Sequence, residues 1–223
     1  PNGKETELSF RRMVSFSVKE LMTLEVTVTP RNWSGDFRAI STQNSDVYND
    51  GDPNDPRKAS EALKRLRTLE SDQQGKFTYM LCQTAKSQLT MACVMAHTHG
   101  SDLQSECGIT PDCNTVQLSG QAKQGVAISF VKRCVYTDSR RHAAPLADAL
   151  ALAATCSAQP LSTLDERQRE ILNDFWRVSR VTVVGEPQLQ TAIDYAIFVL
   201  FQSAGQDGVS SIASKGLSGE GYE

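Results

Sequence analysis

The sequence predicts a mainly β chain: an antiparallel β-sandwich followed by connecting helices and the beginning of a helical domain. Between residue 5 and about residue 139, segments rich in Val, Phe, Thr and Leu alternate partially with polar residues and are joined by short turns. After residue 139 the apolar residues recur at helical spacing. The last helical segment is apolar around most of its circumference, which is typical of a helix packed between neighbours.

Six segments of the first part have the composition of β-strands, and they occupy residues 7–17, 20–30, 36–44, 76–85, 87–98 and 125–139. The first two are separated by a short turn around Lys19, and the fourth and fifth by an equally short one, so we expect two hairpins. Many strands with short turns favour an antiparallel sandwich. Residues 55–71 differ, because they carry leucines at helical spacing, which predicts a helix. These leucines are Leu63, Leu66 and Leu69.

Two helices are predicted after the strands. The first covers residues 145–156, where Pro145 stands at a helix-start position in a segment rich in Ala and Leu. The second covers residues 162–178 and begins with Thr163 and Glu166, which have the spacing of a capping box. Its apolar face is formed by Ile171, Leu172, Phe175 and Trp176. We expect the two aromatic rings to be buried against the sandwich or a neighbouring helix.

A third helix is predicted to start at Pro187 and to run to about residue 205. Asp194 is its only charged residue, and its apolar residues cover more than one stripe: Ala192, Ile193, Ala196, Ile197, Val199, Leu200 and Phe201. Such a helix needs a partner layer, which the few Gly- and Ser-rich residues after it are not expected to form. We therefore expect a piece of a longer protein, with a dimer contact as the alternative. A hairpin turn predicted at residues 1–4 similarly indicates a preceding strand.

Composition and charge argue against several classes of protein. The chain carries 23 basic and 26 acidic side chains, a formal charge of −3, so nucleic acid and anionic membranes are not expected partners. No apolar run approaches the roughly 20 residues that span a bilayer. The six cysteines are too sparse for a disulfide scaffold, and the apolar neighbours of Cys82, Cys93 and Cys134 indicate buried free thiols. We therefore expect a reducing, cytoplasmic location.

One segment has the residue spacing of a calcium-binding EF-hand loop at four positions, Asp50, Asp52, Asn54 and Glu61. However, Asp55 stands where that loop requires Gly. Because Pro53 and Pro56 stiffen the segment, a proline-braced turn is the preferred interpretation.

A second candidate metal site combines His97 and His99, which share one strand face, with the nearby Cys107 and Cys113. Their spacing matches no standard zinc site, and a strand end running into a loop is the preferred interpretation. We expect no metal. The sequence also lacks a Walker loop, a dinucleotide-binding glycine motif and a nucleophile elbow, so no constellation of residues supports catalysis by itself.

The last third of the chain is similar to a known family. The segment AIDYAIFVLFQSAGQDGVSSIASKGLSGEGYE, residues 192–223, resembles the entry to the catalytic barrel of glycoside hydrolase family 65, which includes phosphorylases of maltose, kojibiose, nigerose and trehalose. NDFWRVSRVTVVGEPQLQ, residues 173–190, resembles the linker helices of that family. The amino-terminal sandwich is matched more loosely, by residues 55–57 and 89–99. The run SIASKGLSGEGYE is the strongest part and is most similar to the kojibiose and nigerose phosphorylase branch.

The resemblance implies an architecture of three parts. Residues 1–142 would form an incomplete amino-terminal sandwich, residues 143–185 the helical linker, and residues 186–223 the first helix of a truncated (α/α)6 barrel. In the family the general acid and the phosphate-binding residues lie further along the chain, so no catalytic residue is carried over. In the matching glycine-rich loop, Lys215, Glu220 and Tyr222 are expected to approach the sugar.

The resemblance also implies a function. The longer protein would catalyse inverting phosphorolysis of an α-glucosyl disaccharide to β-glucose 1-phosphate and glucose, with inorganic phosphate as co-substrate and no cofactor. This chain would be a non-catalytic portion, inactive alone, and the protein a homodimer. The alternatives are a carbohydrate-binding or dimerisation sandwich, or a parent protein that is an α-glucoside hydrolase of the same family.

Overall fold

The computed structural model describes residues 3–49, 54, 63–204 and 208. Within these residues the chain forms eleven strands and three helices. The strands are β1 (Thr6–Val14), β2 (Leu21–Pro30), β3 (Gly35–Asn44), β4 (Tyr48–Asn49), β5 (Leu63–Lys64), β6 (Leu66–Gln74), β7 (Phe77–Thr84), β8 (Thr90–His99), β9 (Gln104–Ile109), β10 (Cys113–Ala122) and β11 (Ile128–Asp138). The helices are α1 (Pro145–Ala158), α2 (Leu161–Ser179) and α3 (Pro187–Ser203).

These elements fall into two compact units. The first lies within Pro1–Asn49 and Ala62–Pro160 and contains the strands together with α1. The second lies within Asp50–Glu61 and Leu161–Glu223, and its described elements are α2 and α3. The domain boundaries expected from the sequence stay predictions.

The first unit is a sandwich of two antiparallel sheets. The larger sheet has the strand order β1-β2-β11-β8-β7-β6, and the smaller has the order β3-β10-β9. Buried side chains from both sheets meet in one core, among them Val26, Met95 and Phe130 from the larger sheet and Phe37 and Leu118 from the smaller. The predicted antiparallel sandwich followed by helices is therefore confirmed.

Helix α1 covers the other face of the larger sheet, mainly over β8 and β11. It begins at Pro145, as predicted, and it buries Ala149, Ala153 and Cys156. The paired strand residues Val94 and Val135 are fully buried. Small helix side chains let the helix approach the sheet closely, so the two central strands are covered on both faces.

The helix predicted for residues 55–71 is wrong in its described part. Residues from Leu63 onward form β5 and β6, and β6 pairs with β7. A bulge between Thr68 and Glu70 shifts the register and leaves Leu69 as an extra residue that is 43% exposed. The spacing of the leucines therefore reflects a strand with a bulge and not a helix. The hydrogen bonds that pair β6 with β7 favour the extended structure here. Residues 55–62 lie outside the described residues.

The predicted capping box is also wrong. Helix α2 begins at Leu161, so Thr163 lies inside its first turn and not at the position before it. The boundary is set by Pro160, because a residue before proline is pushed to extended backbone. Gln159 has ψ of 136° and ends α1, and α2 starts directly after the proline.

In the second unit, α2 and α3 pack through aromatic rings. Phe175 and Phe201 are stacked with their centroids 3.9 Å apart, and Phe175 meets Trp176 edge-on at 5.0 Å. All three rings are half-buried, so the expected burial against a neighbouring helix is partial. No side chain of α3 is fully buried within the described residues, and Leu200 is 61% exposed. None of the helices in the described part of the chain is both long enough and apolar enough to cross a membrane.

Candidate functional site

The residues expected to approach a sugar, Lys215, Glu220 and Tyr222, lie outside the described residues. Their role therefore stays a prediction. The calcium-like spacing also falls almost wholly outside them, since only Asn54 of its four residues is described, as an exposed residue in a turn.

The two histidines of β8 lie on one strand face, but they are not arranged for metal binding. His97 is largely buried, and its Nε2 has no hydrogen-bond partner. Burial lowers the pKa of His97 to about 4, and the positive charges of Lys132 and His99 act in the same direction. The Nδ1 atom of His99 is within hydrogen-bond distance, 2.8 Å, of the Gly100 carbonyl. In the described part of the chain, no three His, Cys, Asp or Glu residues are grouped so that they could hold a metal ion.

A cavity of about 200 Å³ lies between the sheets and is lined by several sulfur atoms. Its sulfur-bearing residues are Met80, Cys82, Met91, Cys93 and Cys134. All six cysteines are free, and Cys82 and Cys134 are buried whereas Cys93 is partly buried. The buried free thiols expected from the sequence are present, but their arrangement in one cavity was not predicted.

A polar cluster joins the ends of β4 and β5 to the turn before β10. Asp112 Oδ1 accepts hydrogen bonds from Thr68 Oγ1 at 2.6 Å and from Ser45 Oγ at 3.4 Å. Lys64 Nζ lies 2.8 Å from Asp46 Oδ1 and 3.9 Å from Asp112 Oδ2. The hydrogen bond from Thr68 and the charge of Lys64 lower the pKa of Asp112. The cluster therefore stabilises the Asp112 carboxylate in its ionised form.

Two carboxyl groups of the first unit, those of Glu70 and Asp138, act as hydrogen-bond acceptors. A general acid for glycoside cleavage needs a carboxyl pKa raised towards neutrality. Burial alone would raise the pKa of the Asp138 carboxyl. Hydrogen bonds from Arg141 and from the Arg140 backbone outweigh burial, so the pKa of Asp138 is lowered. Glu70 accepts a hydrogen bond from the Tyr79 hydroxyl at 2.7 Å, which raises the pKa of Tyr79 to about 12. The lowered pKa of Asp138 is the opposite of what a general acid requires.

A comparison with protein families shows which family the chain belongs to. A family model described as glycosyl hydrolase family 65, N-terminal domain, matches residues 1–175. The chain belongs to this family. The match covers the whole sandwich and α1 and ends within α2.

Phosphorylases are among the similar family 65 proteins. The chain is 37% identical to an alpha,alpha-trehalose phosphorylase of Geobacillus stearothermophilus and 31% identical to one of Thermoanaerobacter brockii. It is 27% identical to a kojibiose phosphorylase of Escherichia coli K12. Each match covers 100% of this chain, but the chain spans only 29% to 30% of these relatives. The sequence identities over the whole chain therefore do not support the expectation that it is most similar to kojibiose and nigerose phosphorylases.

The fold is also found in a solved structure. A protein described as "putative kojibiose phosphorylase from human microbiome" superposes with a TM-score of 0.78 at 12% identity, covering 91% of this chain and 26% of that chain. At this identity the likeness concerns the fold alone, and it agrees with the sandwich and helices described above.

Proposed function

We propose that this chain is the N-terminal, non-catalytic portion of a family 65 disaccharide phosphorylase. The observation that carries the proposal is the family match over residues 1–175, together with the identities of 37% and 31% to two trehalose phosphorylases. The chain spans about 30% of those relatives, so the activity of the whole protein is inferred from them. The general acid and the phosphate site are assigned to the part of the relatives that this chain does not span.

The proposed reaction is inverting phosphorolysis of an α-glucosyl disaccharide. A carboxylic acid protonates the glycosidic oxygen, and phosphate attacks the anomeric carbon from the opposite face. The products are β-glucose 1-phosphate and a second sugar, which is glucose for a glucosyl-glucose substrate. Inorganic phosphate is the co-substrate, and no cofactor or metal is proposed. In the alternative, an α-glucoside hydrolase, water takes the place of phosphate.

Trehalose is the first disaccharide to test. The two trehalose phosphorylases share more identical residues with this chain than the kojibiose phosphorylase does, 37% and 31% against 27%. The glycine-rich loop with Lys215, Glu220 and Tyr222 is proposed to approach the sugar. The lowered pKa values of Asp112 and Asp138 support a structural role for the sandwich, since neither group is prepared to donate a proton at neutral pH.

We also propose that the whole protein is a cytoplasmic homodimer. Leu8 and Phe10 of the edge strand β1 are 56% and 54% exposed, and clustered exposed apolar side chains mark protein contacts. The free thiols fit a reducing compartment. A role of the sandwich in dimerisation or carbohydrate binding is the alternative to a purely supporting one.

The test uses the whole polypeptide to which this chain belongs. It is incubated with trehalose, with and without phosphate, and the products are identified by nuclear magnetic resonance. We expect β-glucose 1-phosphate to form only when phosphate is present. Glucose released without phosphate would identify a hydrolase, and a preference for kojibiose or nigerose would replace trehalose as the substrate. No reaction with any α-glucosyl disaccharide would contradict the proposal.

A further inference from the structure

The outer strand of the larger sheet, β1, has an open edge. Among the described residues, β2 is the only strand that pairs with it. The pairing is continuous from Thr6 to Val14, whereas the strand at the other edge, β6, is interrupted by a bulge between Thr68 and Glu70. Bulges protect a sheet edge from other chains, and a long regular edge strand is a template for pairing. The two edges are therefore unequal, and β1 is the one that can accept another strand.

Alternate residues of β1 direct their backbone groups away from β2. The Arg31 amide donates to the Glu5 carbonyl at 2.9 Å, so these two residues form a hydrogen-bonded pair. Hydrogen-bonded and non-hydrogen-bonded pairs alternate along an antiparallel ladder. Thr6 thus belongs to the other set, and it lies opposite Pro30, which has no amide hydrogen to donate. The N–H and C=O groups of the even-numbered residues from Thr6 to Arg12 therefore point towards the open edge.

The side chains of these even-numbered residues extend the core face of the larger sheet. Leu8 lies opposite Val28 and Phe10 lies opposite Val26, and opposite side chains share a face. Val26 and Val28 are buried in the core between the sheets, whereas Leu8 and Phe10 are exposed. The apolar face of the larger sheet therefore continues onto β1, where it is uncovered.

The other face of β1 carries charges of both signs. Arg11 Nε lies 3.3 Å from Glu25 Oε1 of β2, and Glu7 forms an ion pair with Arg31. Glu7 and Arg11 stand at equal distances on either side of Ser9. A twofold axis at Ser9 would therefore place Glu7 of one strand opposite Arg11 of a second copy. Charges of opposite sign then alternate across the two copies, in the order Glu25, Arg11, Glu7 and Arg31.

We propose that β1 pairs antiparallel with β1 of a second copy of this chain, across a twofold axis at Ser9, so that the two larger sheets become one. This inference rests on the proposed homodimer and specifies its contact. Leu8 then lies opposite Phe10 of the second copy, and Glu7 lies opposite Arg11, each pair occurring twice. Apolar pairs and pairs of opposite charge both stabilise antiparallel strands. The same surface of both copies is used, which closes the assembly as a dimer.

The position of the axis follows from the sequence of β1. Because the outward backbone groups must meet one another, even residues pair with even ones, and the axis must pass through a residue. With the axis at Phe10, that ring would meet its own copy and Leu8 would lie opposite Arg12. With the axis at Leu8, Phe10 would lie opposite Thr6. Neither arrangement joins the two apolar side chains to each other, whereas the axis at Ser9 does.

The test links the two copies at the axis. Ser9 belongs to the set that is hydrogen-bonded with β2, so it would meet Ser9 of the second copy in a non-hydrogen-bonded pair with Cα atoms about 4.5 Å apart. A disulfide spans about 4.4–6.8 Å. In the whole polypeptide, Ser9→Cys should therefore give a covalent dimer on mild oxidation, and tryptic mapping should show residues 5–11 linked to their own copy. The unsubstituted polypeptide, whose six cysteines in this chain are free, provides the baseline.

The matched control for the link is Thr6→Cys. Thr6 is also an exposed hydroxyl residue of β1. In the proposed register it lies opposite Arg12, so the two copies of residue 6 are roughly 20 Å apart along the strands. Thr6→Cys should therefore give no covalent dimer beyond the baseline.

A second measurement tests the apolar pair without a cross-link. Phe10→Lys places an ammonium group opposite Leu8 of the second copy, twice in the dimer. It should raise the dimer dissociation constant in sedimentation by roughly a hundredfold or more, because two phenyl rings leave the contact. Ile40→Lys is the control, because Ile40 is similarly exposed but lies on the smaller sheet, and it should leave the constant unchanged. Circular dichroism checks that both variants are folded.

Four results would contradict the β1 contact. A dimer that persists in Phe10→Lys and is not linked by Ser9→Cys would overturn this contact and leave the homodimer standing. Equal linking by Thr6→Cys would overturn the register. A polypeptide that sediments as a monomer at all concentrations would overturn both the contact and the homodimer, without affecting the proposed phosphorolysis. Linking of the 223-residue chain but not of the whole polypeptide would show that another segment, such as the strand predicted before residue 1, covers β1.

Discussion

Asn114 joins the two sheets through its side chain, and the substitution Asn114→Asp tests this role. The residue is fully buried on β10. Its Nδ2 donates to the Tyr79 carbonyl at 2.8 Å, and its Oδ1 accepts from Ser71 Oγ at 2.7 Å. Aspartate has nearly the same size, but when ionised it only accepts hydrogen bonds. The substitution therefore places a buried negative charge against the Tyr79 carbonyl oxygen.

The destabilisation should depend on pH. Burial raises the pKa of the new carboxyl above its ordinary value of about 3.9, because it disfavours the charged form. A raised folded-state pKa means that the stability of the variant is retained below the unfolded-state pKa and is lost as the pH rises through the folded-state pKa. A pKa raised by about three corresponds to about 4 kcal/mol lost at neutral pH. At low pH the protonated carboxyl can still donate to the Tyr79 carbonyl.

The assay is urea denaturation at about pH 4 and about pH 8, followed by the strand signal in circular dichroism. The matched control is Asn44→Asp on β3, because Asn44 is exposed and its Oδ1 accepts from the Asp46 amide, a role that aspartate keeps. Each variant is compared with the unsubstituted chain at the same pH. Equal losses for Asn114→Asp at both pH values, or losses no larger than those of the control, would refute the assigned hydrogen bonds.

Three further predictions concern stability. Leu118→Ala should lower the free energy of unfolding, measured by denaturation, by about 3–5 kcal/mol, because Leu118 is buried between the sheets at 1% exposure. The control is Ile40→Ala: Ile40 is 57% exposed, and its replacement should lower the free energy of unfolding by less than about 0.5 kcal/mol. Asp112 has a lowered pKa, so its contribution is present above the ordinary pKa and lost as the pH falls through the folded-state value. The stability difference between the chain and Asp112→Asn should therefore shrink on acidification, and a constant difference in pH-dependent denaturation would contradict this. Phe201→Ala removes the ring stacked on Phe175 and should lower hydrogen-exchange protection in α2 and α3 by about 1–2 kcal/mol, without changing the strands.

Local patterns identified the apolar elements of the fold, but not the strands with polar or small residues. Strand β10 was not predicted, because Gln, Ser, Asn and Gly weaken its β propensity. Gly120 in that strand has a packing reason, since a Cβ there would lie 2.7 Å from the Asp102 carbonyl oxygen and 2.8 Å from a Leu103 methyl group. Close approach of another backbone segment is a tertiary feature that single-residue patterns do not reveal.

The candidate sites show the same limit. Apolar neighbours were enough to predict buried thiols at Cys82, Cys93 and Cys134, because burial follows from the composition of each strand. Their position in one cavity follows from the register of three strands, and a slip by one residue would place a thiol on the opposite face. Register depends on pairing between distant segments, so this shared cavity required the structure. The family match over residues 1–175 and the identities to the relatives supported the proposed function more directly than any geometry did.

The proposed division of roles between this chain and the rest of its protein is tested most directly by measuring glucose 1-phosphate formation by each. The chain alone and the whole polypeptide are incubated with phosphate and, in turn, trehalose, kojibiose, nigerose and maltose. We predict turnover by the whole polypeptide and none by the chain alone, even when circular dichroism shows its sandwich to be folded. Turnover by the chain alone that exceeds a blank, and that disappears when a residue within these 223 is substituted, would contradict the non-catalytic role.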